Sequence, residues 1–531
     1  MRSRAASPAC LLACAFSSLV AAACSDEATP APTPISNDVT FGPFGSSSAA
    51  SGRGSFRFGV SSAATQIEDQ NPNTDWYRWT AAAPGGLGHG TFVGDASGGY
   101  TRALEDVALL QALHVDSYRF SMEWGRIEPR RHEYDEAALA HYGALLDALK
   151  AAGIRPMVTL HHFSNPLWLD DPADPTCAAG PSDLNLCGWD HPEAITALAE
   201  LATLLGTRFG DRVDDWGTLN EPVNYLLSGY GIGVFPPGKK FLFGAVHEQL
   251  VPTLRNFVLA HTAAYDALKA ADTVDADGDG VAASVGFNHA VALWVASSQN
   301  QLSSAPIDLA AREKIDWIYN RLFVEAILQG KLDSDLDGVP DEELPGVGGK
   351  LDWLGVQYYF RTGVTGDPGL VPVLALTPCF SDFDLGSCLP PLDPTYLVPA
   401  MGYEHLPQGL HEILSDFAGR WPSLPLLVTE SGIATENGTR RAEAVVRALE
   451  AIALARSEGA DVRGYYHWSV YDNFEWAEGF APRFGLYRVD YESFARVPTE
   501  GATVFGEIAA ARTISEALQA SHGGLGPMTP E

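Results

Sequence analysis

Apolar residues along this chain fall into short β-rich runs separated by longer stretches with helical spacing. Eight runs stand out: Phe56 to Ala63, Val115 to Met122, Arg155 to His162, Asp215 to Asn220, Ser284 to His289, Trp353 to Tyr359, Leu426 to Glu430 and Gly464 to Ser469. Between the first two, Leu104, Val107, Leu110 and Leu113 return every third residue and predict a helix. His132 to Ala152, Ile195 to Phe209 and Arg441 to Ser457 read the same way. Strand and helix in alternation predict βα units around a parallel sheet, and eight such units predict one α/β domain, a single (β/α)8 TIM barrel. The active site of such a barrel lies where the strands end. The barrel is expected over residues 53–517, with 518–531 a flexible tail.

The N-terminus follows a different pattern. Arg2 and Arg4 precede a 15-residue apolar run, Ala9 to Ala23, which is too short to span a bilayer and reads as an export signal over residues 1–23. Small residues lead into Cys24, as in a bacterial lipoprotein box, although Ala21 stands where leucine is usual. Residues 24–52, rich in Ala, Pro, Thr, Ser and Gly, then read as a lipoprotein tether. Acylation of Cys24 would place the protein on an outer membrane or cell surface; without it the chain would be periplasmic or secreted.

Composition narrows the partners. A chain of 531 residues with 46% hydrophobic and 19% charged residues buries a sizeable core and is not disordered. Its formal charge of -32 repels phosphate backbones and anionic headgroups, which excludes nucleic acid and leaves a lipid anchor as the route to a membrane. Of seven cysteines, Cys10 and Cys14 fall in the signal and Cys24 at its end. Among the remaining four, Cys177 with Cys187 and Cys379 with Cys388 close the shortest loops; a tetrahedral metal site is the alternative, but no CxxC spacing or cysteine–histidine cluster accompanies them.

Two carboxylates close apolar strands. Glu221 follows Trp216-Gly217-Thr218-Leu219-Asn220, and Glu430 ends Leu426-Leu427-Val428-Thr429. In a barrel these strands, the fourth and seventh, lie across the mouth from each other, so the two groups can flank one bond. That arrangement suits glycoside hydrolysis, where one carboxyl keeps its proton for the leaving oxygen and the other stays ionised to attack the anomeric carbon. Taken alone, each glutamate is more often a salt-bridge partner at the end of a strand than a catalytic group.

Six motifs in order carry a resemblance: Phe58-Gly59-Val60-Ser61-Ser62-Ala63-Ala64-Thr65-Gln66-Ile67-Glu68; Tyr118-Arg119-Phe120-Ser121-Met122-Glu123-Trp124; Thr159-Leu160-His161-His162-Phe163; Asn220-Glu221-Pro222; Thr429-Glu430-Ser431-Gly432; and Trp468-Ser469-Val470-Tyr471-Asp472-Asn473-Phe474-Glu475-Trp476 with Arg483-Phe484-Gly485-Leu486. Over residues 56–500 the chain resembles glycoside hydrolase family 1, the retaining β-glycosidases that include β-glucosidases and β-galactosidases. The resemblance implies an acid/base at Glu221, a nucleophile at Glu430, support from Arg119, Asn220 and Tyr359, and sugar contacts from Gln66, His162, Glu475, Trp476 and the Trp468 platform. It implies β-glucoside or related β-glycoside hydrolysis by double displacement on a small-molecule glycoside or oligosaccharide, with no redox cofactor. Transglycosylation by the same residues, or a catalytically silent carbohydrate-binding surface lipoprotein, are the competing readings. Gln357 departs from the usual asparagine before the paired tyrosines, and Phe163 from a frequent tryptophan. Ala477-Glu478-Gly479-Phe480 lacks the serine and lysine that hold phosphate in the phospho-sugar branch.

A separate pattern concerns cations. Asp275, Asp277 and Asp279 before Gly280, and Asp333, Asp335 and Asp337 before Gly338 with Asp341 beyond, place oxygens at positions 1, 3 and 5 and glycine at 6, as calcium loops do. Gly286 and Leu344 occupy position 12 in place of glutamate, so neither is a complete EF-hand, and solvated Asp-Gly turns are the alternative. Each loop precedes a strand, the fifth and the sixth, which predicts one shared structural calcium cluster at the barrel end away from the active site.

Overall fold

The computed structural model describes residues 38–44, 54–366, 374–379 and 385–531. The export signal, Cys24 and most of the tether lie outside the described residues. Eight strands form the barrel: β1 (Arg57–Ser61), β2 (Ser117–Ser121), β3 (Arg155–His161), β4 (Asp215–Asn220), β5 (Ser284–Ser298), β6 (Trp353–Thr365), β7 (Leu426–Ser431) and β8 (Val462–Trp468). Each pairs in parallel with the next, and β8 closes on β1 with Gly464 opposite Arg57 and Trp468 opposite Ser61. The strands read as near-continuous apolar runs because one face packs inside the barrel and the other under the helices. Met157, Trp353, Leu427 and Tyr466, from four different strands, form a small cluster of their own. At the strand starts, Arg57 pairs with Asp215 at 2.5 Å, both fully buried.

All eight expected strands are present, and the barrel is the architecture the alternating pattern predicts. β5 and β6 run further than the sequence suggests: past the barrel they stay paired, from Arg361 opposite Leu293 to Val364 opposite Ala296, and rise above the mouth as a wall. The helices begin where local chemistry allows. Asp135 accepts from the Ala137 and Ala138 amides to start helix Glu136–Ala151, and Asn437 does the same for Gly438–Ser457. Cys177–Cys187 and Cys379–Cys388 are disulfides, in the loops that follow β3 and β6. Among the described residues no helix is long and apolar enough to cross a membrane.

Two expected boundaries are corrected. The tether, expected to reach residue 52, gives way earlier: Val39–Thr40 pairs antiparallel with Thr513–Ile514, and Phe41 packs on Phe56 and Phe58 at centroid distances of 4.5 and 5.3 Å. Each such ring contact adds about 1 kcal/mol beyond simple burial, which the polar composition around it conceals. The tail expected to be flexible is packed instead. Helix Glu516–His522 is followed by Met528, buried against Tyr396 and Val398. The Thr529 amide donates to Glu443 at 2.7 Å, and the Glu531 carboxylate accepts from the Thr435 hydroxyl and the Glu436 amide, each at 2.6 Å. One buried methionine and a row of hydrogen bonds outweigh what Gly523, Gly524 and Gly526 concede in chain freedom.

Candidate active site

The strand ends converge on a cavity of about 210 Å³ lined by His162, Asn220, Glu221, Gln357, Tyr359, Glu430, Trp468, Glu475 and Trp476. Of the sequence-expected residues, only Arg119 and Gln66 stand behind its wall. Glu221 leaves β4 with φ 44° and ψ 57°, a left-handed conformation that an L-residue adopts at a cost of about 1–2 kcal/mol. Its amide donates to the Asn288 carbonyl at 2.7 Å, which pins the turn, and Asn224 three residues on donates to its Oε2 at 2.7 Å.

Glu430 has different company. Arg119 forms a buried ion pair with its Oε1, and the Tyr359 hydroxyl donates to Oε2 at 2.7 Å. Burial pushes Glu221 up to about 8, and the nearby charge of Glu430 adds to that shift. Burial also raises Glu430, but Arg119 and Tyr359 stabilise its carboxylate and oppose the shift. Of the coupled pair, Glu430 therefore ionises and Glu221 keeps the proton.

Arg119 links the nucleophile side to the rest of the pocket. Its second nitrogen donates to Asn220 Oδ1 at 2.6 Å, and Gln357 Nε2 donates to the same oxygen at 2.9 Å. The longer amide of Gln357 thus still reaches the site. Asn220 Nδ2 lies 3.1 Å from His162 Nε2, and burial holds His162 well below its ordinary pKa, so Nε2 accepts and Nδ1 carries the proton. His162 stacks between Trp468 and Trp476 at 6.0 and 5.8 Å. Gln66 donates to the Phe474 carbonyl at 2.8 Å and approaches Glu475 at 3.4 Å. Glu475 is pushed up to about 8 by burial and by the other two carboxylates. Among the described residues, the buried polar atoms here that have no partner include Gln66 Oε1, His162 Nδ1, Gln357 Oε1 and the Tyr403 hydroxyl. Unpaired groups of this kind are what the hydroxyls of a sugar would satisfy, while the indole faces suit its C–H surface.

Asn224, Tyr319 and Tyr403 also line the pocket without having been expected. Asn224 was within reach of the sequence, since a residue three positions after a strand-end glutamate, on the helix that follows, faces back toward it.

The aspartate loops form two clusters, not the single one expected. Carboxyl oxygens of Asp275 and Asp277 lie within 4.8 Å of each other and of Asp214, which immediately precedes β4 and had not been expected. Asp279 is outside this group. Asp333, Asp335 and Asp337 form the second cluster, and Asp341 stands apart, accepting from the Ser334 amide and hydroxyl at 2.7 and 2.8 Å. The second loop is tied to the early part of helix Val251–Ala271 by Arg255 and Glu342 at 2.5 Å, whereas the first follows the end of that helix. From 255 to 271 is 16 residues, about 24 Å at 1.5 Å per residue. A neighbouring position in strand order therefore does not bring the loops together, and the second lies on the barrel's flank.

Comparison with known proteins agrees with this geometry. The profile of glycosyl hydrolase family 1 matches residues 50–514. A β-galactosidase of Pyrococcus woesei is 30% identical over 514 residues, covering 87% of this chain and 98% of its own. A coniferin β-glucosidase of Pinus contorta is 29% identical over 484 residues, covering 82% and 88%. Among solved structures, a β-glycosidase from Pyrococcus horikoshii superposes with a TM-score of 0.72 at 29% identity, covering 88% of this chain and 97% of that one. A Thermotoga maritima family 1 glycoside hydrolase complexed with a cyclophellitol analogue transition state mimic matches at 25% identity and TM-score 0.72, covering 90% and 100%.

Proposed function

The chain belongs to glycosyl hydrolase family 1 and is a retaining β-glycosidase, and from that premise we propose that it hydrolyses β-D-glucosides or closely related β-glycosides, with Glu430 as nucleophile and Glu221 as acid/base. The observation that carries the assignment is the unequal environment of the two carboxyls in one cavity. Glu430, its charge held by Arg119 and Tyr359, attacks the anomeric carbon. The bond to the leaving oxygen breaks as Glu221 delivers its proton there. Glu221, now ionised, takes a proton from water; the water oxygen attacks the anomeric carbon of the glycosyl-enzyme, and Glu430 is released with the original configuration restored. Gln66, His162, Gln357 and Glu475 offer the hydroxyl partners, and Trp468 and Trp476 the apolar faces.

A chromogenic panel of β-glucoside, β-galactoside and α-glucoside tests the sugar. Turnover of the β-glucoside with the β-anomer as first product supports the reading; exclusive turnover of another β-glycoside overturns the glucoside assignment. We also propose export, supported by the two disulfides, which persist in oxidising compartments, and by the signal-like N-terminal sequence. The same assay on membrane and soluble fractions tests the anchor, since Cys24→Ser should move the activity into the soluble fraction.

Calcium at the aspartate clusters is a further part of this proposal, supported by three carboxylates converging at each. A chelator should lower the melting temperature while leaving initial rates of the still-folded enzyme unchanged, because a ligand that binds only the folded state stabilises it. An unaltered melting curve in excess chelator, with no metal in elemental analysis, would leave the clusters as solvated turns.

A further inference from the structure

A second cavity, of about 350 Å³, adjoins the catalytic pocket, and Asn224, Tyr319, Phe360, Met401 and Tyr403 line both. Its size falls in the range of small-molecule sites. The rest of its wall is predominantly apolar, with Leu227, Ile232, Ile315, Ile318, Leu376 and Leu397 among its residues. It is built on the part of β5 and β6 that continues beyond the barrel, represented by Trp294 and Thr362, and reaches the segment that the Cys379–Cys388 disulfide closes. Among the described residues its ion pair, Arg361 with Glu404 at 2.5 Å, is self-neutralised and only 6% exposed on each side.

We infer that this cavity receives an apolar aglycone, a long alkyl chain or a group of similar bulk and hydrophobicity, so that the substrate class is amphiphilic β-glycosides and not oligosaccharides. The inference rests on the assignment of Glu221 as the acid. The acid must touch the glycosidic oxygen, so the leaving group departs on its side of the sugar. Asn224, which donates to Glu221, is also part of the cavity's wall, and the route from that oxygen therefore leads into the cavity. A second sugar there would set several hydroxyls against a wall in which most of the side chains are apolar. Among the described residues of this wall, the Trp294 indole N–H and the Tyr403 hydroxyl are buried without a partner, and the Arg361 and Glu404 charges are spent on each other. Each unmatched hydroxyl would cost more than its burial returns.

The test is a series of alkyl β-D-glucosides from methyl to octyl, whose leaving alcohols have nearly constant basicity, with cellobiose as the polar comparison. kcat/KM should rise about threefold per methylene beyond butyl as chain enters the cavity, and octyl glucoside should exceed cellobiose at least tenfold. Ile318→Trp, which fills the cavity, and Ile232→Arg, at a half-buried position in its wall, should each lower the octyl-to-methyl ratio tenfold or more. A ratio within one protein cancels any loss of folded enzyme. Octyl β-D-thioglucoside should inhibit the unaltered enzyme far more tightly than methyl β-D-thioglucoside, a readout that requires neither variant. A series flat within about twofold from butyl to octyl, or a preference for cellobiose, overturns the inference while leaving the glycosidase reading intact. Absence of turnover on every β-glycoside, activated aryl glucosides included, would instead remove the assignment beneath it.

Discussion

Replacing Glu430 with alanine should reduce β-glucoside turnover by on the order of 10⁴-fold or more, on activated and unactivated substrates alike. Neither buried neighbouring carboxyl takes its place: Glu221 faces the leaving group, and Glu475 is held by burial toward the neutral form. Azide fits the space left by the missing side chain and should restore activity in the variant, attacking from the vacated face to give a glycosyl azide of inverted configuration. Product stereochemistry by NMR is the decisive readout. A retained product in azide, or residual activity within tenfold of the parent, would place the nucleophile elsewhere.

Glu221→Gln should separate substrates by leaving group. Alkyl glucosides, which cannot depart without a proton, should slow by roughly 10³-fold, while a dinitrophenyl glucoside should lose little in its first step. The pH profile follows with a defined sign. The general acid must be protonated, so kcat/KM of the parent on alkyl glucosides is present below about 8 and lost as pH rises through that value. The acidic limb belongs to Glu430, which must be ionised, and activity falls as pH drops through its pKa. In Glu221→Gln the alkaline limb should disappear and the acidic one remain. Equal losses on both substrate types would refute the assignment.

Much of this was legible in the sequence because burial on both faces writes each barrel strand as an apolar run, and because Glu221 and Glu430 each close such a run. What stayed hidden has identifiable causes. β6 continues past Tyr359 through Arg361, Thr362 and Gly363, which break its apolar pattern, and although Ala290 to Ala296 prolong β5 as an apolar run, that the two extensions pair into a wall beside a second cavity shows only in the fold. Asp214 joins Asp275 and Asp277 from 61 positions upstream, a proximity that only the closed barrel creates. The tail misled through its glycines, since nothing local announces that Met528 will find a buried partner in Tyr396. Gln357, the departure that raised doubt, keeps its place in the network because its extra methylene is absorbed in a strand whose register shifts at that residue, opposite Glu430.

Asn220 gives the pocket a fixed sense of direction. Its carbonyl oxygen already takes one proton from Arg119 and one from Gln357, so turning the amide over would point N–H groups at a guanidinium and at another amide donor. The amide is therefore a one-way connector, with donors upstream and His162 downstream. A bare ring nitrogen must meet it at 3.1 Å, which keeps the imidazole uncharged and its far N–H available as a donor. The histidine consequently offers the same face to a sugar throughout the working pH range, and the site divides its labour: titration is confined to the carboxyls that break the bond, and the group beside the bound ring stays electrically silent.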